Sequence, residues 1–100
     1  MAFIKACKNG YLVEVEKLLQ DPNLNVHAKK ERAFRLACKN GHLPVVEKLL
    51  GLEGKRRIDV HAVNELAFYW ADKHGHLPVV VRLLQLTGDR YIDIHVSSSH

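Results

Sequence analysis

No stretch of this sequence is both apolar and long enough to cross a bilayer: the longest apolar run, around Leu77 to Val81, falls far short of the roughly 20 residues a spanning helix needs. The opening residues, Met1 to Gly10, are broken by Lys5 and Lys8, which argues against a secretory signal or membrane anchor there. Cysteine is scarce, with only Cys7 and Cys38 in 100 residues. No disulfide framework is therefore expected, and a reducing compartment, the cytoplasm, fits best. Glycine offers no phosphate-cradling loop, since Gly51, Gly54 and Gly88 are scattered singly through loop segments. Aromatic residues make up 7% and do not interleave with basic ones, so a stacking platform for nucleic acid is missing. The 15 basic residues against 11 acidic give +4 without the dense clusters of nucleic-acid binders, an imbalance that favours acidic partners.

What the chain does have is repetition. One phrase occurs three times, as Ala6-Cys7-Lys8-Asn9-Gly10-Tyr11-Leu12, Ala37-Cys38-Lys39-Asn40-Gly41-His42-Leu43 and Ala71-Asp72-Lys73-His74-Gly75-His76-Leu77. Such self-similarity marks stacked supersecondary units. A leucine pair follows each copy in the same register, at Leu18-Leu19, Leu49-Leu50 and Leu83-Leu84. A second phrase recurs as Asn25-Val26-His27-Ala28, Asp59-Val60-His61-Ala62 and Asp93-Ile94-His95-Val96, each copy 34 residues after the last. The phrase glycines are 31 and then 34 residues apart, so the first unit has a loop three residues shorter between Leu19 and Asn25.

Within the second copy, Glu31 to Asn40 combines good helix formers with apolar Phe34, Leu36, Ala37 and Cys38, and Gly41 ends the helix as a C-terminal cap. Pro44 opens a second helix, where its missing N–H is not needed. Leu43, Val46, Leu49 and Leu50 form one apolar stripe opposite Glu47 and Lys48. Neither helix reaches the roughly 12 to 15 residues that make an isolated helix even marginal in water. The units are expected to stack into an all-α solenoid of helix-turn-helix repeats. It forms one domain, residues 1–100, with units at about 1–24, 25–58 and 59–92 and the start of a further turn at 93–100.

The phrase Ala-x-x-x-Gly-His-Leu-x-x-Val-x-x-Leu-Leu at Ala37 to Leu50, with Asp59-Val60-His61-Ala62 after it, resembles the ankyrin-repeat family, whose unit of about 33 residues is two antiparallel helices and an extended finger turn. The resemblance spans nearly the whole chain and implies a rigid curved groove that holds a partner protein. It also has departures. Where the family has Thr-Pro-Leu-His, this chain has Arg32-Ala33-Phe34-Arg35 and Leu66-Ala67-Phe68-Tyr69, so the inter-repeat hydrogen bonds of that motif are not expected. The segment Ala28 to Ala37 is about three residues shorter than the family's finger, and Gly51 to Ile58 is longer than its usual loop. Blunt fingers and a bulging loop on the opposite side follow.

The two ends read differently. Lys5 stands where the other units have Leu36 and Trp70, and Glu14 where they have Val45 and Val79. Those charges suit a terminal cap whose outer face meets water. At the other end Val81 takes the place of Glu16 and Glu47. An apolar end of that kind is expected of a fragment of a longer array, or of a face that another subunit covers by self-association.

Histidines at regular intervals invite a metal reading, but stacked helices sit roughly 8 to 10 Å apart and zinc needs its ligands within about 2.0 to 2.3 Å. His27, His61 and His95 are read as structural, and His42 and His76 as local hydrogen-bonding residues beside their turns. The same separation keeps Cys7 and Cys38 from bridging, since a disulfide needs Cα atoms within about 7 Å. No metal, no cofactor and no catalytic residue is expected.

The groove candidates are the residues ahead of each turn glycine and on the second finger. They comprise Lys8 and Asn9, Lys39 and Asn40, Lys73 and His74, then Lys29, Lys30, Arg32 and Arg35, with Tyr69 as an aromatic contact. The resemblance puts the residues ahead of each glycine on the concave face; their plainer role is a solvated helix end, where lysine also meets the negative end of the helix dipole. Trp70 is read as core, and Lys55-Arg56-Arg57 as a solvated loop. The expected function is protein–protein interaction, with a partner that presents an acidic patch and with neither nucleic acid nor membrane as the leading ligand. Two rivals remain: a basic face that binds nucleic acid, and the recognition segment of a larger enzyme or a bacterial effector acting in host cytosol.

Overall fold

Three copies of one local instruction produce three copies of one hairpin. A computed structural model of the chain describes residues 2–86, apart from the side chain of Asn64. The helices are α1 (Ala2–Asn9), α2 (Leu12–Leu19), α3 (Ala28–Lys39), α4 (Leu43–Leu50), α5 (Ala62–Lys73) and α6 (Leu77–Leu84), with a 3-10 turn at Gly54–Arg56. No strand occurs among the described residues. The finger at Asp93 to Val96, and with it His95, lies outside them.

Each hairpin closes in the same way. Gly10, Gly41 and Gly75 take φ of +75°, +74° and +74°, and the amide after each reaches back five residues: Tyr11 to the Ala6 carbonyl, His42 to Ala37 and His76 to Ala71, all at 2.9 Å. This is the Schellman closure, which a side chain on the left-handed residue would strain. The His42 and His76 rings, expected to hydrogen-bond beside their own turns, lie instead against the turn of the unit before. A Cβ added at Gly10 would come within 2.5 Å of His42 Nδ1, and one at Gly41 within 2.4 Å of His76 Nδ1. Each ring therefore packs over the turn of the preceding unit.

The first helices α1, α3 and α5 pack in series, and α2, α4 and α6 form a second layer behind them. One aromatic position, Phe3, Phe34 and Phe68, is buried in every unit, as is one alanine position, Ala6, Ala37 and Ala71. The small side chain lets successive first helices approach closely, and the large one fills the space between layers. Val15, Val46 and Val80 with Leu49 and Leu83 complete the core. Cys7 and Cys38 are buried and free, and burial pushes the Cys7 thiol up to about 12 and the Cys38 thiol higher still.

The shortened finger is built in an unexpected way. Lys29, Lys30 and Glu31 have φ of 57°, 57° and 64°, a left-handed turn fused to the start of α3, although left-handed helix costs an L-residue roughly 1–2 kcal/mol. Neighbouring side chains hold it. Arg35 donates from Nε to the Lys30 carbonyl at 3.0 Å and from Nη2 to the Lys29 carbonyl at 2.9 Å. Glu31 is 4% exposed, and its Oε2 accepts from His27 Nδ1 at 2.8 Å and from the Asp59 amide of the next unit at 2.7 Å. His27 Nε2 lies 2.7 Å from the Lys55 carbonyl. The Glu31–Asp59 bond joins the second unit to the third without the Thr and His of the family motif, and the two His27 contacts hold Glu31 within its own unit. The turn recurs in α5, where Val63 and Glu65 have φ of 56° and 65° and His61 Nδ1 meets Glu65 Oε1 at 2.7 Å.

The bulging loop is anchored, not merely solvated. Arg56 donates from Nη1 to the Leu19 carbonyl at 2.6 Å and from Nη2 to the Asp21 carbonyl, so a loop of the second unit caps α2 of the first. In the second layer, Lys48 faces Glu16 at 3.9 Å and Arg82 meets Glu47 at 2.7 Å. Lys5 and Glu14 are exposed where Leu36, Val45 and Val79 are buried. On α6, Leu77, Val81 and Leu84 are exposed.

Candidate docking surface

Four of the expected contact residues converge. Lys8 and Asn9 at the end of α1, and Lys29 and Arg32 at the start of α3, line a cavity of about 320 Å³. Ile4 and Leu36 form its buried floor, and Lys5, one helical turn before Lys8, completes the rim. Lys5 was assigned by sequence only to a polar cap, although its spacing of three from Lys8 sets both on one helix face. All four cations are exposed, no acidic side chain lines the cavity, and none of the four is ion-paired among the described residues. The left-handed turn brings Lys29 to this rim.

The remaining candidates divide among other places. Lys30 lines a second cavity of about 460 Å³ between the second and third fingers, with His27, Glu31, Asp59 and Val63. Lys39 extends over the Trp70 ring, with Nζ 4.9 Å from its centroid. Trp70 itself is half-buried against the core, not wholly inside it. Asn40 is exposed but already committed, since its Nδ2 donates to the Lys8 carbonyl at 3.0 Å and ties α3 to α1. Tyr69, Lys73 and His74 are exposed on the third unit and line neither cavity.

Arg35 departs from expectation. It was placed on the docking surface, yet it is 8% exposed, with its guanidinium spent on the left-handed turn and lying 5.7 Å from the Trp70 ring. Burial, with a contribution from the nearby Arg32 charge, lowers its pKa from the usual guanidinium value. It supports the surface from beneath and is withdrawn from the contact set.

His27 is the group most altered by its surroundings. A carbonyl oxygen only accepts, so Nε2 donates to Lys55, and with the Glu31 carboxylate opposite Nδ1 both ring nitrogens face acceptors, an arrangement that favours the cationic ring. Burial pulls the His27 pKa down, but the Lys55 carbonyl and the Glu31 carboxylate outweigh it and leave the value raised. His27 and His61 each serve a glutamate four residues on within their own unit, a structural use of the histidines.

A family model of ankyrin repeats matches residues 3–97 as three copies. No curated protein and no solved structure matches the chain.

Proposed function

The chain belongs to the ankyrin-repeat family, and we propose that its concave face docks a partner protein through an acidic patch. Ankyrin repeats are generally protein–protein interaction modules and typically not enzymes. The observation that carries the finer reading is the rim of Lys5, Lys8, Lys29 and Arg32 around an apolar floor, without a counter-charge among the described residues. Four unpaired cations repel one another and so work against folding, whereas a partner's carboxylates turn the same field into attraction and faster encounter. Tyr69 and Lys73 extend the contact along the stack. No helix among the described residues is long and apolar enough to cross a membrane, and a cytoplasmic setting suits the two free thiols.

The test is affinity capture with the wild-type chain beside Lys8→Glu/Lys39→Glu/Lys73→Glu. The variant is expected to associate with the captured partner at least about tenfold more slowly, because exposed charges act mainly on association, while its thermal midpoint moves little. Unchanged association with an intact fold contradicts the assignment of the groove.

A further inference from the structure

The lysine row does not act evenly along the groove, and its first two units differ in kind from the rest. Lys39 is already drawn over Trp70 and Lys73, on the third unit, lines neither of the two cavities described above, whereas Lys5, Lys8, Lys29 and Arg32 surround one recess. The recess also has an apolar floor: Ile4 from α1 and Leu36 from α3 meet at its base. Charge at the rim with aliphatic surface beneath is the usual composition of a site that seats one side chain and orients its neighbours.

Resting on the reading of the concave face as a docking surface, we propose that this recess is the anchor point and that it takes an acidic peptide segment with one aliphatic residue between carboxylates. The aliphatic side chain sits on Ile4 and Leu36. Carboxylates on either side meet Lys5 and Lys8 along α1 and Lys29 and Arg32 at the turn into α3. Arg32 presents a planar fork that matches a carboxylate with two hydrogen bonds, and the lysines act as point charges around it.

Charge complementarity selects this occupant. With no acidic side chain on the wall, a basic or zwitterionic segment finds no partner there. A nucleic-acid strand asks for a track of cations with aromatic platforms, and the recess is a single open depression whose lining holds no aromatic ring. Asn9 is the one neutral polar group on the lining, available to a backbone amide or carbonyl of the bound segment. The left-handed turn is what makes the site: a right-handed start to α3 would carry Lys29 elsewhere.

The experiment uses the full chain and fluorescent synthetic peptides, read by anisotropy. One carries Asp-Glu-Leu-Glu-Asp between glycines, a second has Asn and Gln in place of the acids, and a third has Ala in place of Leu. The acidic leucine peptide is expected to bind best. The amide version should bind at least about tenfold more weakly, the alanine version roughly threefold more weakly, and raising salt to about 0.5 M should cost about tenfold. Lys8→Glu/Lys29→Glu/Arg32→Glu should abolish binding with the helical circular dichroism retained, and Lys39→Glu/Lys73→Glu should change it less than about threefold. Should the triple variant fail to fold, the backbone-neutral Lys8→Gln/Arg32→Gln serves instead, with at least about tenfold weakening expected. In the wild type, methyl resonances of Ile4 and Leu36 should shift on peptide addition.

Equal binding of the amide peptide overturns the proposal, as does tighter binding of a DNA duplex or of anionic vesicles at the same salt. Binding that tracks Lys39 and Lys73 instead of the recess also overturns it, while leaving the broader concave-face reading intact. Loss of that broader reading has its own signature, a captured partner indifferent to every concave-face reversal.

Discussion

The second and third units begin their first helices with the same left-handed turn, but they hold it differently. In the second, Arg35 lies beneath the turn and donates to the carbonyls of Lys29 and Lys30. In the third, Tyr69 occupies the equivalent position; it is 36% exposed and stacks edge-on against Phe68 with ring centroids 5.7 Å apart. One residue of the repeat is thus a buried brace in one unit and an outward aromatic in the next. A solenoid gives each unit a similar backbone task, and the side chain that meets it is free to differ wherever a neighbour or a solvated surface takes over. The braced unit is the one that presents Lys29 and Arg32 to the recess.

The largest expected effect comes from removing the acceptor that joins the two units. Glu31→Ala leaves the Asp59 amide and the His27 ring without the buried carboxylate that joins them, which should cost about 3 kcal/mol of unfolding free energy in urea titration. A loss within 0.5 kcal/mol would mean the joint contributes little. Next is the brace itself: Arg35→Met should cost roughly 2 kcal/mol through two lost charge-assisted bonds, whereas Tyr69→Met at the equivalent site should cost under about 1 kcal/mol. Equal losses would erase the contrast between the units.

The smallest effect is on pH. The folded His27 pKa is raised from 6.5, so its contribution is fully present below that unfolded value and fades as pH climbs through the raised folded value. Wild-type stability should therefore fall on going from about pH 6 to pH 8, in the range where a histidine titrates, and His27→Gln should flatten that part of the profile. His27 lies partly in solvent, with 37% of its side chain exposed, which keeps the effect small. The same slope in the variant would assign the pH dependence to other groups.

Much of the fold was legible because its signals are local. Gly10, Gly41 and Gly75 end helices wherever they occur, Pro44 and Pro78 fit a first turn, and paired leucines mark the second layer. The left-handed turn was not legible. Lys29, Lys30 and Glu31 have no intrinsic preference for positive φ, and only tertiary bonds from Arg35, His27 and Asp59 select it. That turn is also why Arg35 departs from expectation: it was counted with the basic residues of the second finger, and the turn draws its guanidinium under the surface. The joint had a readable signal that the motif departures concealed, for histidine and glutamate stand four apart at His27–Glu31 and again at His61–Glu65. In the proposed site, Lys8 and Asn9 are expected from the family resemblance and Lys29 and Arg32 from the second finger, but a recess formed between two units is not written in either one.

A docking recess built from two units, stacked on a third, keeps its shape only while the joints hold, and the Asp59 amide reports on one directly. Its hydrogen exchange, followed by NMR under native conditions, should be slow and limited by unfolding of the stack, and should become faster by orders of magnitude in Glu31→Ala. Exchange of the wild-type Asp59 amide at the rate of an open loop would contradict the bond between the units, and with it the account of how the shortened finger holds the stack together.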